Sequence, residues 1–136
     1  MSTCIFCDII EGKVPCHMIY QDADCIVILD RYPIDNGHSL IITKKPYEKI
    51  TDMDTTSVAK LFSKIPKVAN AIINATDADA FSIAQNNGRA AKQIIPHVHV
   101  HIIPRYNTTG TLWTKRSIPN DDELDELAQK IKNCLE

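Results

Sequence analysis

Three of the five histidines of the chain occupy alternate positions of one short run, His97, His99 and His101 in HVHVHIIP. Alternate side chains of a β-strand point to the same face, so this spacing predicts three imidazoles side by side on one face of a sheet. The intervening apolar residues are predicted to point into the core. They are Val98, Val100 and Ile102.

Two kinds of chemistry fit such a row of imidazoles. Histidines at alternate strand positions chelate zinc, as in sites built from three histidines and a water. A neutral imidazole also attacks phosphorus near neutral pH, while a protonated neighbour stabilises phosphate oxygens. The spacing alone leaves both interpretations open.

A second chemical signal lies at the N-terminus, where Cys4 and Cys7 have the spacing of a zinc knuckle. Such a pair needs two further ligands from elsewhere, so two free thiols are the alternative. The chain has five cysteines, an odd number, and its first residues lack the basic and apolar segments of a secretory signal. This pattern favours thiols or metal ligands over disulfides and predicts a cytoplasmic location.

Five short apolar segments rich in β-branched residues are predicted to form the strands that position these groups. They are residues 18–20, 25–30, 39–43, 80–84 and 98–103.

Two segments have the three- and four-residue apolar spacing of amphipathic helices. The longer covers residues 55–75, with Asp54 as its N-cap and a kink expected at Pro66. The shorter covers residues 121–135 and is capped by Asn120 or Asp121. Together these elements predict an α+β fold: a five-stranded antiparallel sheet with one long helix and a C-terminal helix on one face.

The composition is that of one ordinary domain, with 136 residues, 44% hydrophobic and 24% charged. A net charge of -2 gives no basic surplus for nucleic acid or an anionic membrane surface. No apolar run approaches the length of a membrane span. A small anionic ligand stays compatible with this charge, because it needs only a few local donors.

The motifs HVHVHIIPR, NNG, GHSLIIT and CIFCDIIEGKVP together resemble the histidine triad (HIT) superfamily, in particular its compact nucleotide hydrolases and phosphoramidases. The resemblance covers residues 4–113, which predicts a histidine triad domain there and a C-terminal extension with a short helix over 114–136. It also implies a HIT-like fold and a homodimer.

The resemblance implies that His99 attacks the α-phosphorus of a nucleoside monophosphate derivative, forming a nucleotidyl-histidine that water cleaves. His101 resembles the residue that contacts the α-phosphate and the leaving group, and His38 the buried histidine that positions the nucleophile. With His97, these form the expected catalytic set of a purine nucleoside phosphoramidase.

The nucleotide pocket is assigned by the same resemblance, and the small-molecule partner it implies is a purine nucleotide such as an adenosine derivative. Asp30 resembles the carboxylate that accepts both ribose hydroxyls, and Asn86 and Gln93 resemble amides that bind the phosphate. Apolar residues are expected around the base: Ile5, Phe6, Ile9 and Ile28.

In zinc-binding relatives the first histidine of the triad joins the two thiolates, which implies a structural zinc site on Cys4, Cys7 and His97. The position of the fourth ligand is Pro46, which cannot coordinate, so water or a carboxylate such as Glu48 is expected to complete the site. The catalytic chemistry itself requires no cofactor.

Two departures from the motif bear on substrate choice. Lys92-Gln93-Ile94 replaces the Gly-Gln-Ser of many relatives, which removes a serine hydroxyl, and Arg31 stands where relatives often have an apolar residue. Two other functions remain open: a zinc-dependent hydrolase with the strand histidines as ligands, and a nucleotide-binding adaptor with little turnover.

Overall fold

One antiparallel sheet of five strands forms the centre of the computed structural model, which describes residues 4–111, 113 and 118–135. The strand order is β1-β2-β3-β5-β4, and every neighbouring pair is antiparallel. The predicted α+β class and five strands are therefore confirmed. The strands are β1 (Met18–Gln21), β2 (Cys25–Leu29), β3 (Ser39–Thr43), β4 (Ala80–Ala84) and β5 (His99–Arg105).

Four α-helices accompany the sheet in the described part of the chain: α1 (Ile5–Ile10), α2 (Thr55–Phe62), α3 (Ile65–Thr76) and α4 (Asp121–Cys134). Asn120 caps α4 as predicted: its side chain accepts the N–H of Glu123, whose carboxylate accepts the N–H of Asn120. No helix among the described residues is both long and apolar enough to cross a membrane.

The single kinked helix expected over residues 55–75 is wrong, because the segment forms two helices separated by Ser63 and Lys64. Pro66 has no N–H to donate to the carbonyl of Phe62, and its ring crowds that carbonyl. In the first turn of α3 neither effect costs stability, since the first N–H groups of a helix have no partner within it. The chain therefore ends one helix and begins another.

The two faces of the sheet bury different sets of residues. Val98, Val100 and Ile102 point to the face covered by α2, α3 and α4, where they join the larger core. On the opposite face, Phe6 of α1 packs in a smaller cluster with Ile26, Ile28, Leu40 and Ile42. The predicted alternation of β5 is confirmed, and the histidines lie on the less covered face.

Candidate active site

The strand register gathers four histidines on the α1 side of the sheet. In the pairing of β3 with β5, Ile42 lies opposite His99 and Leu40 opposite His101. His38 directly precedes β3, and His97 lies two residues before β5. His38, His97 and His99 are buried, whereas His101 is half-buried.

His99 is held by a backbone carbonyl. Its Nδ1 lies 2.6 Å from the carbonyl oxygen of His97. A carbonyl only accepts, so Nδ1 carries the proton and Nε2 of the neutral ring keeps its lone pair. Burial lowers the pKa of His99 and outweighs the opposing effect of the bond to His97, which favours the neutral form at pH 7.

His101 takes the opposite tautomer through His38. The N–H of Ile34 donates to Nδ1 of His38 at 3.0 Å, so neutral His38 carries its proton on Nε2. That nitrogen donates to Nδ1 of His101 at 2.9 Å, which leaves the proton of His101 on its Nε2. Burial, with a smaller contribution from His99, lowers the pKa of His101 to about 4.

The hydrogen bond of His38 bears on its expected role in positioning the nucleophile, which stays a prediction. Its hydrogen bond goes to His101, while the ring of His99 is fixed by the carbonyl of His97. A backbone carbonyl carries no signature in residue types, which is why the sequence did not indicate this partner.

A cavity of about 550 Å³ opens beside the histidines, within the range typical of small-molecule sites. Among its lining residues are eight of those predicted to be catalytic or nucleotide-binding. They are Ile5, Phe6, Ile9, Ile28, Asp30, His38, His99 and His101.

Asp30 lies just past the end of β2, in a turn that fixes its carboxylate. Its Oδ1 accepts the N–H of Tyr32 at 2.8 Å, and its Oδ2 lies 3.5 Å from Nε2 of His38. The side chain is 18% exposed, so it reaches both the cavity and the histidine network. An ionised carboxylate has about four acceptor positions, which leaves capacity for a ligand.

Two further cavity residues carry functional groups that the sequence did not single out. His17 is buried and contacts Asp125 of α4 at 2.7 Å and Asp121 at 3.2 Å. Arg31, which departs from the family motif, contacts Oδ1 of Asp121 at 3.1 Å, the oxygen that His17 also contacts. These residues are more than 80 positions from α4, and no local spacing indicates such contacts.

The two N-terminal cysteines meet His97. Nδ1 of His97 lies 3.2 Å from Sγ of Cys4 and 3.6 Å from Sγ of Cys7. Its Nε2 donates to the carbonyl of Thr43 at 2.6 Å, so the lone pair on Nδ1 points to the two sulfurs. Ligand atoms around tetrahedral zinc are about 3.5 Å apart, so these donors fit a zinc ion.

The same geometry disfavours a catalytic zinc on the three strand histidines, since His97 directs its free nitrogen to the thiols. Within the described residues, the other group with metal-ligand spacing is Asp30, His38 and His101, in which Nε2 of His38 already donates to His101 and lies 3.5 Å from Asp30.

Comparison with known proteins identifies the family. Residues 11–108, most of the chain, match the model of the HIT domain. The chain belongs to the HIT domain family. The predicted resemblance is thus confirmed, and the sheet and the histidine strand described above are those of a HIT domain.

Three relatives of this HIT domain are informative. The adenylylsulfatase HINT3 of Arabidopsis thaliana is 42% identical over 98% of the chain and 68% of the relative. The adenosine 5'-monophosphoramidase hnt1 of Schizosaccharomyces pombe is 34% identical, with 98% of each protein covered. A crystal structure of a Zn-bound histidine triad family protein from Mycobacterium smegmatis is 31% identical with a TM-score of 0.87, covering 97% of this chain and 92% of that one.

The loop before β5 contains the two amides expected to contact phosphate. Gln93 is 4% exposed; its amide oxygen accepts the N–H of Gly88 at 2.7 Å and its amide nitrogen donates to the carbonyl of Glu48 at 2.6 Å. In this structure the amide of Gln93 holds the backbone of the HIT domain, and its expected contact with phosphate stays a prediction. Asn86 is not among the residues that line the cavity; it lies two residues past the end of β4, whose last residue Ala84 pairs with His101.

Proposed function

We propose that this HIT domain hydrolyses nucleoside 5′-phosphoramidates and related nucleoside monophosphate derivatives through a nucleotidyl intermediate on His99. The observation that carries the proposal is the hydrogen bond from Nδ1 of His99 to the carbonyl of His97, because it frees Nε2 of a cavity residue for attack. The names of two relatives, a monophosphoramidase and an adenylylsulfatase, support this class of reaction.

The first chemical step joins His99 to the nucleotide. Nε2 of His99 attacks the α-phosphorus, the bond from phosphorus to the leaving group breaks, and its electron pair departs with that group. When the leaving group is an amine, it departs with a proton taken from solvent, and the proton on Nε2 of His101 forms a hydrogen bond to it. His38 fixes this proton on the correct nitrogen of His101.

The second step releases the product. A water molecule attacks the phosphorus of the nucleotidyl-histidine and releases a proton to solvent. The phosphorus–nitrogen bond breaks, the nucleoside monophosphate leaves, and His99 returns to its starting tautomer while His101 keeps its proton on Nε2. The two opposite tautomers therefore act as nucleophile and hydrogen-bond donor.

The cavity supports recognition of a purine nucleoside, and we assign its parts accordingly. Ile5, Phe6, Ile9 and Ile28 provide an apolar surface for the base, and the Asp30 carboxylate accepts the ribose hydroxyls. Asn86 is assigned to the phosphate from its resemblance to the corresponding amide of the HIT family. The adenosine compounds in the names of the relatives favour adenine.

We assign structural zinc to Cys4, Cys7 and His97, a set whose donor atoms fit the ion. When bound, the metal would supply a link between the start of α1 and the segment leading into β5. Pro46 lines a small pocket with Cys4, Cys7 and His97 but has no ligand atom. Glu48 lines a neighbouring groove instead. Water is therefore the preferred fourth ligand. The zinc-bound relative from Mycobacterium smegmatis supports this assignment.

A homodimer is proposed through β4, an edge strand of the sheet. Phe81 is 39% exposed and Ile83 47% exposed on this strand. Exposed apolar side chains on an unpaired edge favour pairing with another chain. A second copy of this HIT domain would cover both the edge and its apolar residues.

We propose a histidine triad domain over residues 4–113 and a C-terminal extension over residues 114–136. Residues 112, 114–117 and 136 lie outside the described residues. The α4 helix of the extension buries Leu124, Ala128 and Ile131 in the larger core. A cytoplasmic location is proposed because five cysteines with no disulfide among them suit a reducing compartment.

Incubation with adenosine 5′-phosphoramidate, followed by chromatography of AMP, tests the function. The wild type should release AMP, whereas His99→Asn should release none and still bind AMP within about tenfold of the wild-type affinity. Tight AMP binding by a wild type that leaves phosphoramidates and dinucleotides intact would contradict hydrolysis and identify an adaptor.

A further inference from the structure

A second groove, of about 610 Å³, adjoins the nucleotide cavity. The two share Ile94, whose side chain is 86% exposed at the boundary. Three cationic residues line this groove, Lys49, Arg89 and Lys92, against one carboxylate, Glu48. The groove is therefore locally positive in a chain whose net charge is -2.

The groove is built on a fixed backbone. Gln93 bonds to Gly88 and Glu48, as described above, and Oδ1 of Asn87 accepts the N–H of Ile50 at 2.8 Å. These contacts connect the loop before β5 to the segment after β3. The cations therefore project from two chain segments that are held together.

The three cations are available for an anion. Within the part of the chain that the structure describes, the ion pairs within 4.0 Å do not involve Lys49, Arg89 or Lys92. Arg89 and Lys92 are exposed, and Lys49 is half-buried.

Lys92 adopts a left-handed backbone conformation with φ of 65°, which favours glycine. Its side chain is exposed, so packing in the core does not account for a lysine at this position. What the residue adds over glycine is a positive charge in the groove. Compared with the Gly-Gln-Ser of many relatives, this chain therefore lacks a serine hydroxyl at position 94 and has a lysine cation at position 92.

We infer that Lys49, Arg89 and Lys92 form a specificity-determining subsite for an anionic leaving group, which rests on the function proposed above. The substrates are nucleoside monophosphate derivatives whose leaving group carries its own negative charge, such as sulfate or phosphate. Attack by His99 breaks the bond from the α-phosphorus to the bridging oxygen, and the electron pair departs with the sulfate or phosphate. These anions need no proton to depart, and the cations stabilise their charge as it develops.

A comparison of two substrates and two double variants tests the subsite. Adenosine 5′-phosphosulfate has an anionic leaving group, whereas adenosine 5′-phosphoramidate releases ammonia. Lys49→Gln/Lys92→Gln changes the groove, and Lys130→Gln/Lys132→Gln removes the same charge from exposed positions of α4.

The measured quantity is kcat/KM for the phosphosulfate divided by kcat/KM for the phosphoramidate. Exposed charge contacts are individually weak, so this ratio should fall about threefold to thirtyfold in the groove variant. It should stay at the wild-type value in the control. Raising NaCl from about 0.05 M to about 0.5 M should lower the ratio in the wild type, because salt screens exposed charges. An equal ratio in both variants, or no turnover of phosphosulfate by the wild type, would overturn the subsite.

A binding measurement separates this inference from the proposed function. In a His99→Asn background, ADP should bind more tightly than AMP, and only the groove substitutions should reduce that advantage. Normal AMP binding with no ADP advantage would overturn the subsite alone. A protein that neither turns over the phosphoramidate nor binds AMP would overturn the proposed function and the subsite with it.

Discussion

Nε2 of His38 donates to Nδ1 of His101 across 2.9 Å, and this bond determines which nitrogen of His101 carries the proton. The neighbouring His99 has the opposite arrangement, with its proton on Nδ1. Two adjacent imidazoles, with ring centroids 4.9 Å apart, thereby present one lone pair and one donor. The proposed chemistry needs both groups.

Removal of His38 should affect leaving groups unequally. In His38→Ala, Nδ1 of His101 loses its donor and the tautomer is no longer fixed, so kcat for a phosphoramidate should fall about tenfold to a hundredfold. A sulfate leaving group needs no proton and should lose less. Rapid-mixing kinetics with both substrates measures the two losses, and equal losses would contradict the assigned role.

The pH dependence of stability should report the buried neutral state of His101. Its folded pKa of about 4 lies below the ordinary histidine value of 6.5, so the unfolded chain binds a proton first as the pH falls. The contribution of neutral His101 to the free energy of unfolding is complete above pH 6.5 and is lost as the pH falls to about 4. Urea unfolding at pH 7, 5.5 and 4.5 should show a larger loss of unfolding free energy in the wild type than in His101→Asn. Both proteins are measured with chelator to remove metal effects, and parallel pH profiles would contradict the prediction.

Asp30 should discriminate between ribose and deoxyribose. Asp30→Ala should weaken AMP binding by about tenfold to a hundredfold and remove most of the preference over 2′-deoxy-AMP, since a hydrogen bond to a charged group contributes roughly 1.5–3 kcal/mol. Calorimetric titration measures both ligands. Asp30→Asn, which retains an acceptor for the N–H of Tyr32, controls for the turn. A wild type that binds both sugars equally would rule out the ribose role.

Zinc should stabilise the fold more than it accelerates the reaction. Protein purified without chelator or metal-affinity resin should contain close to one zinc per chain, and Cys7→Ser should lose most of it. The Tm of the variant should fall, whereas its kcat should change little, because the metal links α1 to the histidine segment. Cys16→Ser, a half-buried cysteine outside the metal group, should retain zinc. Elemental analysis below about a tenth of an equivalent in the wild type would exclude a structural zinc.

Strong local patterns made much of this fold predictable. The bounds of β3 and β4 match the predicted 39–43 and 80–84, and the two-residue period of β5 identified its histidine face. The six-residue α1 was missed because IFCDII is too short to show a helical period. The separation of α2 from α3 depends on where the first helix ends relative to Pro66, which periodicity does not determine.

Site residues were predictable where a side chain acts alone, and less so where the backbone takes part. Asp30 and His99 line the cavity as expected, whereas the amide of Gln93 is hydrogen-bonded to the backbone of Gly88 and Glu48. The tautomer of His101 depends on a tertiary contact with His38 and that of His99 on a backbone carbonyl, and residue spacing reveals neither.

The nucleotidyl intermediate on His99 is the central claim, and rapid-quench mass spectrometry tests it most directly. Wild-type protein quenched during turnover of adenosine 5′-phosphoramidate should carry an adenylyl group on the peptide containing His99, with fragment ions that place it on that residue. The adduct and the turnover should both be absent from His99→Asn. Turnover that continues in that variant, or an adduct that maps to another residue, would contradict the account.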